Sequence, residues 1–286
     1  ASDVYKRQVL ALSIALPVFA SDDGDTIYIN SVSDLLSLAR NCAYDQWSVG
    51  KTVILQKDLS LEGMLWEPIP SFSGQFKGNG HTISDLTITG QYSPAGLFGI
   101  VEEQGSIESL SVRGVVSVSD SADTTTGGIV GINHGTLINC QFTGVVTGDS
   151  EVGGIVGRNE SEGTIDHGTA RAIVTGKSST GGIAGYNLGA ITGCTNVGSI
   201  NTEYPEASLD TDGFTAKMVD YINNKMAAAD NDATNSVTNV ATDTGGIAGR
   251  SSGMILTSVN TGTIGYEHVG YNVGGIVGRT DGLVSG

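Results

Sequence analysis

The sequence predicts an all-β protein built as a right-handed parallel β-helix, a solenoid in which the chain winds into stacked coils. Three observations lead to this prediction. One glycine-framed apolar motif returns along the chain, the segments between its copies share a pattern, and none of them has the periodicity of a helix. Glycine supplies 42 of the 286 residues, about twice its usual share. Its regular spacing among Ile, Val and Leu argues against a flexible linker.

The motif occurs in two sequence variants and in one less similar copy. It is GGIVG at 127–131, 153–157 and 274–278, GGIAG at 181–185 and 245–249, and AGLFG at 95–99. Successive copies begin 32, 26, 28, 64 and 29 residues apart. Repeats of this length are typical of stacked arrays. These lengths are not multiples of six, as the left-handed hexapeptide form requires, so we expect the right-handed form.

The segments between the motifs have the common form G-x-[IL]-x-x-[small]-x-x-x-[GA]-x-[VI], seen at 135–146, 163–174, 189–200 and 253–264. Each unit therefore holds three short apolar stretches separated by turn residues, which predicts three strands per coil. Equivalent strands of successive coils would then pair in parallel, about 4.8 Å apart.

We assign the motif a structural role. The glycines should form sharp corners with φ > 0, the Ile or Leu between them should stack inside the coil, and the Asn two residues later should form a ladder of amides. The predicted structural repeat consists of Gly96, Gly99, Gly128, Ile129, Gly131, Asn133, Gly154, Ile155, Gly157, Asn159, Gly182, Ile183, Gly185, Asn187, Gly246, Ile247, Gly249, Gly275, Ile276 and Gly278.

The cysteines fit the same repeat. Cys140 and Cys194 share one column with Gly168 and Ser258, so they lie two coils, or about 9.6 Å, apart. A disulfide needs Cα atoms within about 7 Å. We therefore expect free, buried thiols and no metal site.

The two ends and one long interval depart from the repeat. Residues 1–20 form a basic stretch, an apolar run and a small-residue cleavage site, which predicts a secretory signal peptide. Residues 1–8 could be a sequencing artefact. Residues 21–94 should hold the first coils and a capping helix at about 33–43, with Ser31 and Asp34 in a capping-box pattern. Residues 95–286 are repeats with a helical insertion at about 205–240, and they stop inside a repeat, so we expect truncation at the C-terminus.

Charge excludes some partners. The net charge is −16 at pH 7, whereas nucleic-acid binding needs a basic stripe. No segment is apolar enough over a sufficient length to cross a membrane as a helix.

The sequence resembles the GLUG-repeat proteins of bacteria. The segments that carry the resemblance are GNGHTISDLTI, AGLFG and GSIESLSVRG, followed by the GGIVG and GGIAG units. The resemblance implies an extracellular β-helix at the bacterial surface. The same repeat also lies upstream of the catalytic domain in immunoglobulin-A-specific zinc metallopeptidases. It does not imply the peptidase, because H-E-x-x-H does not occur around any of the four histidines.

Three functions stay open. The first is a non-catalytic surface stalk or adhesion module, whose partner would be a host protein, a glycan or only its own missing C-terminal domain. The second is a carbohydrate-active enzyme, to which Asp166–His167 and Asn133–His134 point faintly, although convergent carboxylates are missing. The third is the non-catalytic region of a protease. We expect no catalytic residue, cofactor or metal, and candidate glycan-binding aromatics (Tyr186, Tyr266 and Tyr271) share no repeat column.

Overall fold

Every strand pairing in the described part of the chain is parallel, and most pairs join one coil to the next. The structure is a computed structural model, and it describes residues 25–44, 46–118, 124–202, 241–265 and 269–286. Over these ranges the chain forms a parallel β-solenoid, as predicted, and it has about seven coils and one helix. The right-handed sense of the coil stays a prediction. The signal peptide and the helical insertion fall on residues 1–20 and 205–240, outside the described residues.

The elements of the first coils are β1 (Thr26–Ile29), α1 (Val32–Asn41), β2 (Thr52–Leu55), β3 (Leu59–Ser60), β4 (Ile69–Phe72), β5 (Gln75–Lys77), β6 (Thr82–Gly90), β7 (Phe98–Val101), β8 (Ser106–Glu108) and β9 (Ser111–Val118). The next coils contain β10 (Thr125–Gly127), β11 (Val130–Asn133), β12 (Thr136–Ile138), β13 (Gln141–Thr147), β14 (Glu151–Gly153), β15 (Val156–Asn159), β16 (Thr164–Asp166), β17 (Thr169–Thr175), β18 (Ser178–Gly181), β19 (Ala184–Asn187), β20 (Ala190–Thr192), β21 (Thr195–Asn196) and β22 (Ser199–Ile200). The last coils contain β23 (Ala241–Gly245), β24 (Ala248–Ser251), β25 (Met254–Leu256), β26 (Val259–Asn260), β27 (Thr263–Ile264), β28 (Val269–Gly274), β29 (Val277–Thr280) and β30 (Leu283–Ser285).

These strands form four sheets, which we number in the order in which a coil visits them. Sheet 1 holds β10, β14, β18, β23 and β28, and sheet 2 holds β4, β7, β11, β15, β19, β24 and β29. Sheet 3 holds β1, β2, β5, β8, β12, β16, β20, β25 and β30, and sheet 4 holds β3, β6, β9, β13, β17, β21 and β26, with β22 and β27 beside them.

A coil thus has four strands, and the prediction of three was wrong. The missed strands are those of sheet 1, such as Thr125–Gly127 and Glu151–Gly153. Each is three to six residues long and ends in glycine. Such a strand carries too few apolar residues to be distinguished from a corner in the sequence.

The motifs stack in register from coil to coil. Gly127 pairs with Gly153, Gly153 with Gly181, Gly181 with Gly245 and Gly245 with Gly274. The 64-residue interval therefore adds no coil, because Gly181 and Gly245 are direct neighbours. The additional residues of this interval lie between β22 and β23 in the sequence, and β23 takes the next position of the ladder beside β18.

Helix α1 covers the N-terminal end of the solenoid. Its N-cap is Ser31, whose Oγ accepts a hydrogen bond from the backbone N–H of Asp34 at 3.2 Å. The Asp34 carboxylate accepts one from the N–H of Asn30 at 3.0 Å, so both predicted capping residues bind backbone donors. The helix packs against β1 and β4, the first strands of sheets 3 and 2, and buries Leu35 and Leu38.

One hydrophobic core fills the described coils from end to end. Near the helix it is aromatic, because the rings of Phe72, Phe76 and Phe98 lie 5.4 to 6.3 Å apart, centroid to centroid. Further along it is mainly aliphatic, with one Ile or Leu per coil at the centre of each strand of sheet 3 from β8 to β25, as in Ile107, Leu137 and Ile165.

Candidate functional site

The motif glycines do not have the backbone conformation that we predicted. Gly128, Gly154, Gly182, Gly246 and Gly275 should have φ > 0, but the glycines with positive φ in the described residues lie elsewhere, for example at Gly144 and Gly193. The corner between sheets 1 and 2 is therefore made without left-handed residues, and φ does not explain why glycine stands there.

Close packing between coils explains it instead. A Cβ added at Gly154 would overlap the carbonyl oxygen of Gly182 in the next coil, and one at Gly182 would overlap that of Gly246. The last glycine of the motif also has a close neighbour, because a Cβ at Gly157 would stand 2.6 Å from the backbone nitrogen of Thr126 in sheet 1. Glycine is required because the backbones of successive coils leave no room for a side chain.

The third motif residue lies in the core. This column is fully buried at Leu97, Ile129, Ile155, Ile183 and Ile247. Ile276, in the last coil, is only partly buried against the same core. Backbone hydrogen bonds also continue through this corner, since each isoleucine N–H in the middle coils donates to the carbonyl of the next one, at 2.8 to 3.1 Å.

The asparagines of the repeat form a buried amide ladder. Asn133 Nδ2 donates to Asn159 Oδ1, and Asn159 Nδ2 donates to Asn187 Oδ1, both at 2.8 Å. Asn187 Nδ2 donates to Ser251 Oγ at 3.1 Å. All four residues have no exposed surface, so these bonds remove the penalty of burying the amides.

One group of residues with positive φ forms a different column, at the corner between sheets 3 and 4. They are Ser109, Asn139, His167, Gly193 and Thr257, with φ between 46° and 61°. Asn and Gly favour this conformation, so Asn139 and Gly193 indicate a left-handed corner here, whereas Ser109 and Thr257 do not. The prediction placed the left-handed residues at the motif glycines instead.

All three cysteines are free and buried, and they act as small core residues. The Cys140 column holds Gly168, Cys194 and Ser258 as predicted, with Gly168 between the two thiols. The N–H of Gly168 donates to Cys194 Sγ at 3.2 Å. Burial raises the pKa of Cys42, Cys140 and Cys194 to about 12, which makes these thiols poor nucleophiles.

The hydrolase-like pair Asp166–His167 lies on the outside of the solenoid. Asp166 Oδ1 is 2.9 Å from His167 Nδ1, and the histidine side chain is 63% exposed. On the neighbouring coils, Ile138 and Thr192 occupy the positions beside Asp166. No second carboxylate therefore flanks Asp166 on either side.

The most distinctive outward feature is a column of large polar side chains on sheet 2, which we call the arginine column. It consists of Arg158, Tyr186, Arg250 and Arg279, which are register partners on four successive coils. The guanidinium carbons of Arg158 and Arg250 each lie 5.0 Å from the centroid of the Tyr186 ring, so both make cation–π contacts. The Tyr186 hydroxyl lies 3.3 Å from Ser252 Oγ.

The two ends of the arginine column differ in charge. Arg158 is held by two carboxylates, with Nη1 2.7 Å from Glu151 and Nε 2.6 Å from Glu160. Among the described residues, the carboxylate that interacts with Arg250 and Arg279 is that of Asp281. The Ser252 hydroxyl, and then these two guanidiniums, hold the pKa of Asp281 below its usual value. Counted over the described residues, the Arg158 end thus carries a net negative charge and the Arg250 end a net positive one.

Sequence reasoning missed this column although its signal is simple. Arg158, Tyr186, Arg250 and Arg279 each follow the last glycine of a motif copy. Of the other candidate glycan-binding aromatics, Tyr266 lies outside the described residues. Tyr271 pairs in sheet 1, so it is in a different sheet from Tyr186.

Two other kinds of site are not found among the described residues. A metal ion would need at least three His, Cys, Asp or Glu side chains close together, and the described residues contain no such group. The described part of the chain also holds no helix of sufficient length and hydropathy to cross a membrane.

Comparisons with known proteins find similarity over half of the chain. Halomucin of Haloquadratum walsbyi is 30% identical over 155 residues, which cover 50% of this chain and 2% of halomucin. The "Putative Gly-rich membrane protein" of Evansella cellulosilytica is 27% identical over 189 residues, which cover 51% of this chain and 22% of that protein. The matched regions thus span a small part of either relative. No family model matches the sequence, so the GLUG resemblance stays a proposal.

A solved structure has the same fold. The crystal structure of "a putative immunoglobulin A1 protease" from Bacteroides ovatus matches with a TM-score of 0.56 and 18% sequence identity. The match covers 84% of this chain and 66% of the other. At this identity the likeness concerns the fold alone, and it places this chain among β-solenoids of the kind found in that protein.

Proposed function

We propose that this solenoid is a non-catalytic, extracellular module that acts as a rigid stalk and presents a binding face for a longer bacterial protein. The observation that carries the proposal is the uniform stacking of the coils. Successive coils repeat the core column and the corner glycines, and three of them share the amide ladder. This construction extends a rod by one step per repeat.

The extracellular location rests on the sequence and on the named relatives. The apolar run before residue 21 has the form of a signal peptide, and the GLUG resemblance implies a surface protein. The names of halomucin and of the Bacteroides protein are compatible with export.

The second candidate is a narrower form of the first, in which the rod is the non-catalytic region of a secreted protease. The likeness to the Bacteroides structure favours it. The sequence supplies no zinc-binding helix of the H-E-x-x-H type, so a peptidase domain would have to lie outside these 286 residues.

A carbohydrate-active enzyme is the weaker alternative. Asp166 and His167 form its best acid–base pair, but hydrolysis requires a second carboxylate facing the same bond. The register partners Ile138 and Thr192 do not provide one.

Coil duplication tests the stalk. Thr136 and Thr164 are register partners, so residues 136–163 are one complete coil and can be repeated in tandem after Gly163. Three added copies should lengthen the rod by about 14 Å, as measured by the maximum dimension in small-angle X-ray scattering, with cooperative unfolding retained. A control insertion of half a coil (136–149) should disrupt folding. An unchanged length would contradict the stalk, and polysaccharide cleavage that is lost in Asp166→Asn would favour the enzyme.

A further inference from the structure

We propose that the Arg250 end of the arginine column binds a carboxylated polysaccharide that runs along the axis of the solenoid. This inference deepens the binding role proposed above and rests on it. Six arginines follow residue 20 in the sequence, and three of them stand in this one column.

The first argument is that two positive charges, those of Arg250 and Arg279, lie next to each other. Arg250 and Arg279 are direct partners on adjacent strands, at a spacing of about 4.8 Å. Like charges directly opposite each other destabilise a sheet. Among the described residues, Asp281 supplies a single carboxylate for the two guanidiniums, so one positive charge stays uncompensated there, in a chain whose net charge is −16.

The second argument is that the guanidinium N–H groups of Arg250 and Arg279 are available as hydrogen-bond donors. Within the described residues, no side chain or backbone oxygen accepts a hydrogen bond from Arg250 or Arg279, in contrast to Arg158 with its two glutamates. Arg279 is exposed and Arg250 is half-buried against Tyr186. A guanidinium held in place by an aromatic ring is suited to bidentate carboxylate binding.

The third argument concerns the shape of the partner. Successive guanidiniums are one coil apart, so a polymer must cross the strands rather than follow them. Carboxylates on one side of an extended peptide recur about every 6.6 Å, which does not match the coil rise. The strand β24, which carries Arg250, is already paired on both sides, with β19 and β29, so no peptide can add beside Arg250 as a strand. Hydroxyl groups at Tyr186 and Ser252 border the arginines and can bond the hydroxyls of a sugar chain.

The experiment measures binding of the full chain to polygalacturonate by isothermal titration calorimetry at low ionic strength. Arg250→Gln/Arg279→Gln should weaken binding of polygalacturonate about tenfold or more. Each substitution removes a charge-assisted hydrogen bond between a guanidinium and a carboxylate of the polysaccharide. The matched control, Lys77→Gln/Arg171→Gln, removes the same charge from exposed positions on sheets 3 and 4 and should leave the affinity unchanged.

Two further probes identify the chemistry. Fully methyl-esterified polygalacturonate keeps the sugar chain without its charges, and it should not bind. Polyglutamate should bind more weakly than polygalacturonate. Equal loss in the control variant, no binding of polygalacturonate, or stronger binding of polyglutamate would each overturn the proposal. The coil-duplication experiment does not involve these arginines. A failure of the stalk proposal can therefore be distinguished from a failure of the polysaccharide proposal.

Discussion

At the scale of single residues, the molecule uses glycine to bring backbones together rather than to bend them. From Gly128 to Gly246, the second motif glycine of a coil faces the carbonyl of the equivalent glycine in the next coil. A column of residues with φ > 0 lies at another corner, between sheets 3 and 4, as at Asn139, His167 and Gly193. A repeated glycine thus has two physical explanations in the sequence, and only the structure distinguishes them.

Gly154→Ala should therefore destabilise the protein by about 1–3 kcal/mol, because the new Cβ overlaps backbone that cannot move aside easily. Gly275 is its matched control. It is the same motif position in the last coil, and a Cβ there meets nothing within 4 Å, so Gly275→Ala should be nearly neutral. Denaturant unfolding measures both. Equal destabilisation of the two variants would contradict the packing explanation and restore a conformational one.

Two threonines of sheet 1 offer a test with opposite signs. Thr180 Oγ1 is buried and has no hydrogen-bond partner in the described part of the chain, and its register partner on the preceding coil is Val152. Thr180→Val should stabilise the protein by about 1 kcal/mol, because an unpaired hydroxyl is removed. Thr244 stands in the same column, but its Oγ1 accepts from Asn201 Nδ2 at 3.0 Å, so Thr244→Val should destabilise it. Two changes of the same sign in urea titrations would contradict this account.

The cysteines predict an alkaline limit to stability. Burial raises the pKa of Cys42, Cys140 and Cys194 from 9.0 to about 12. Unfolded thiols ionise above pH 9 while the folded ones keep their protons. Their contribution is therefore fully present below about pH 8 and falls as the pH rises from 9 toward 12. The free energy of unfolding, measured against pH, should fall less steeply in this window for a variant with all three cysteines changed to Ala. An identical slope would show that the thiols are not buried.

At the scale of elements, the corners differ in how strictly their length is kept. The corner between sheets 1 and 2 has two residues in every coil from β10 onward. The corner between sheets 3 and 4 also has two from β8 onward, and its first residue has φ > 0. The corner between sheets 2 and 3 has either two residues or four, as in 134–135 and 160–163. The connection between sheets 4 and 1 varies most in length, from two residues between β17 and β18 to the long interval between β22 and β23. Among the described residues, the corners of variable length bury no hydrophobic side chain, so a change of length there disturbs the core least.

Length tolerance should follow this distinction. Ser-Glu inserted between Leu188 and Gly189 gives that corner the four residues already present at 160–163, so the free energy of unfolding should change by less than about 0.5 kcal/mol. The same dipeptide between Gly193 and Cys194 lengthens a corner of fixed length and displaces a buried thiol, and it should destabilise by several times more. Chemical denaturation of both variants measures the difference, and equal tolerance would refute the classification of the corners.

At the scale of the whole molecule, the sequence was sufficient to predict the stacking but not the cross-section. Motif spacing predicted the coil, because equivalent residues must occupy equivalent sites in a solenoid. The capping box at Ser31 and the apolar face of Leu35 and Leu38 predicted the helix that covers the first coil. The four-sided section was not predictable in this way, because strands such as Thr125–Gly127 have no apolar pattern of their own.

The candidate site was harder to predict for a related reason. Arg158, Tyr186, Arg250 and Arg279 are separated by 28, 64 and 29 residues, and only the register brings them into one column. Their position after each motif was visible in the sequence. The charge difference between the two ends was not, because it depends on Glu151, Glu160 and Asp281, which approach from neighbouring strands and corners.

The central claim is that one motif spacing equals one coil, and a disulfide experiment tests it most directly. Thr136, Thr164 and Ala190 stand on three successive strands of sheet 3, about 4.8 Å apart in steps, and the three native thiols are buried. Thr136→Cys/Thr164→Cys should oxidise to an intramolecular bridge, since Cα atoms within about 7 Å can be joined. Thr136→Cys/Ala190→Cys, two coils or about 9.6 Å apart, should not. Intact mass under denaturing, non-reducing conditions should show the loss of two hydrogens in the first variant only. A bridge in the second variant and none in the first would contradict the register on which the whole account depends.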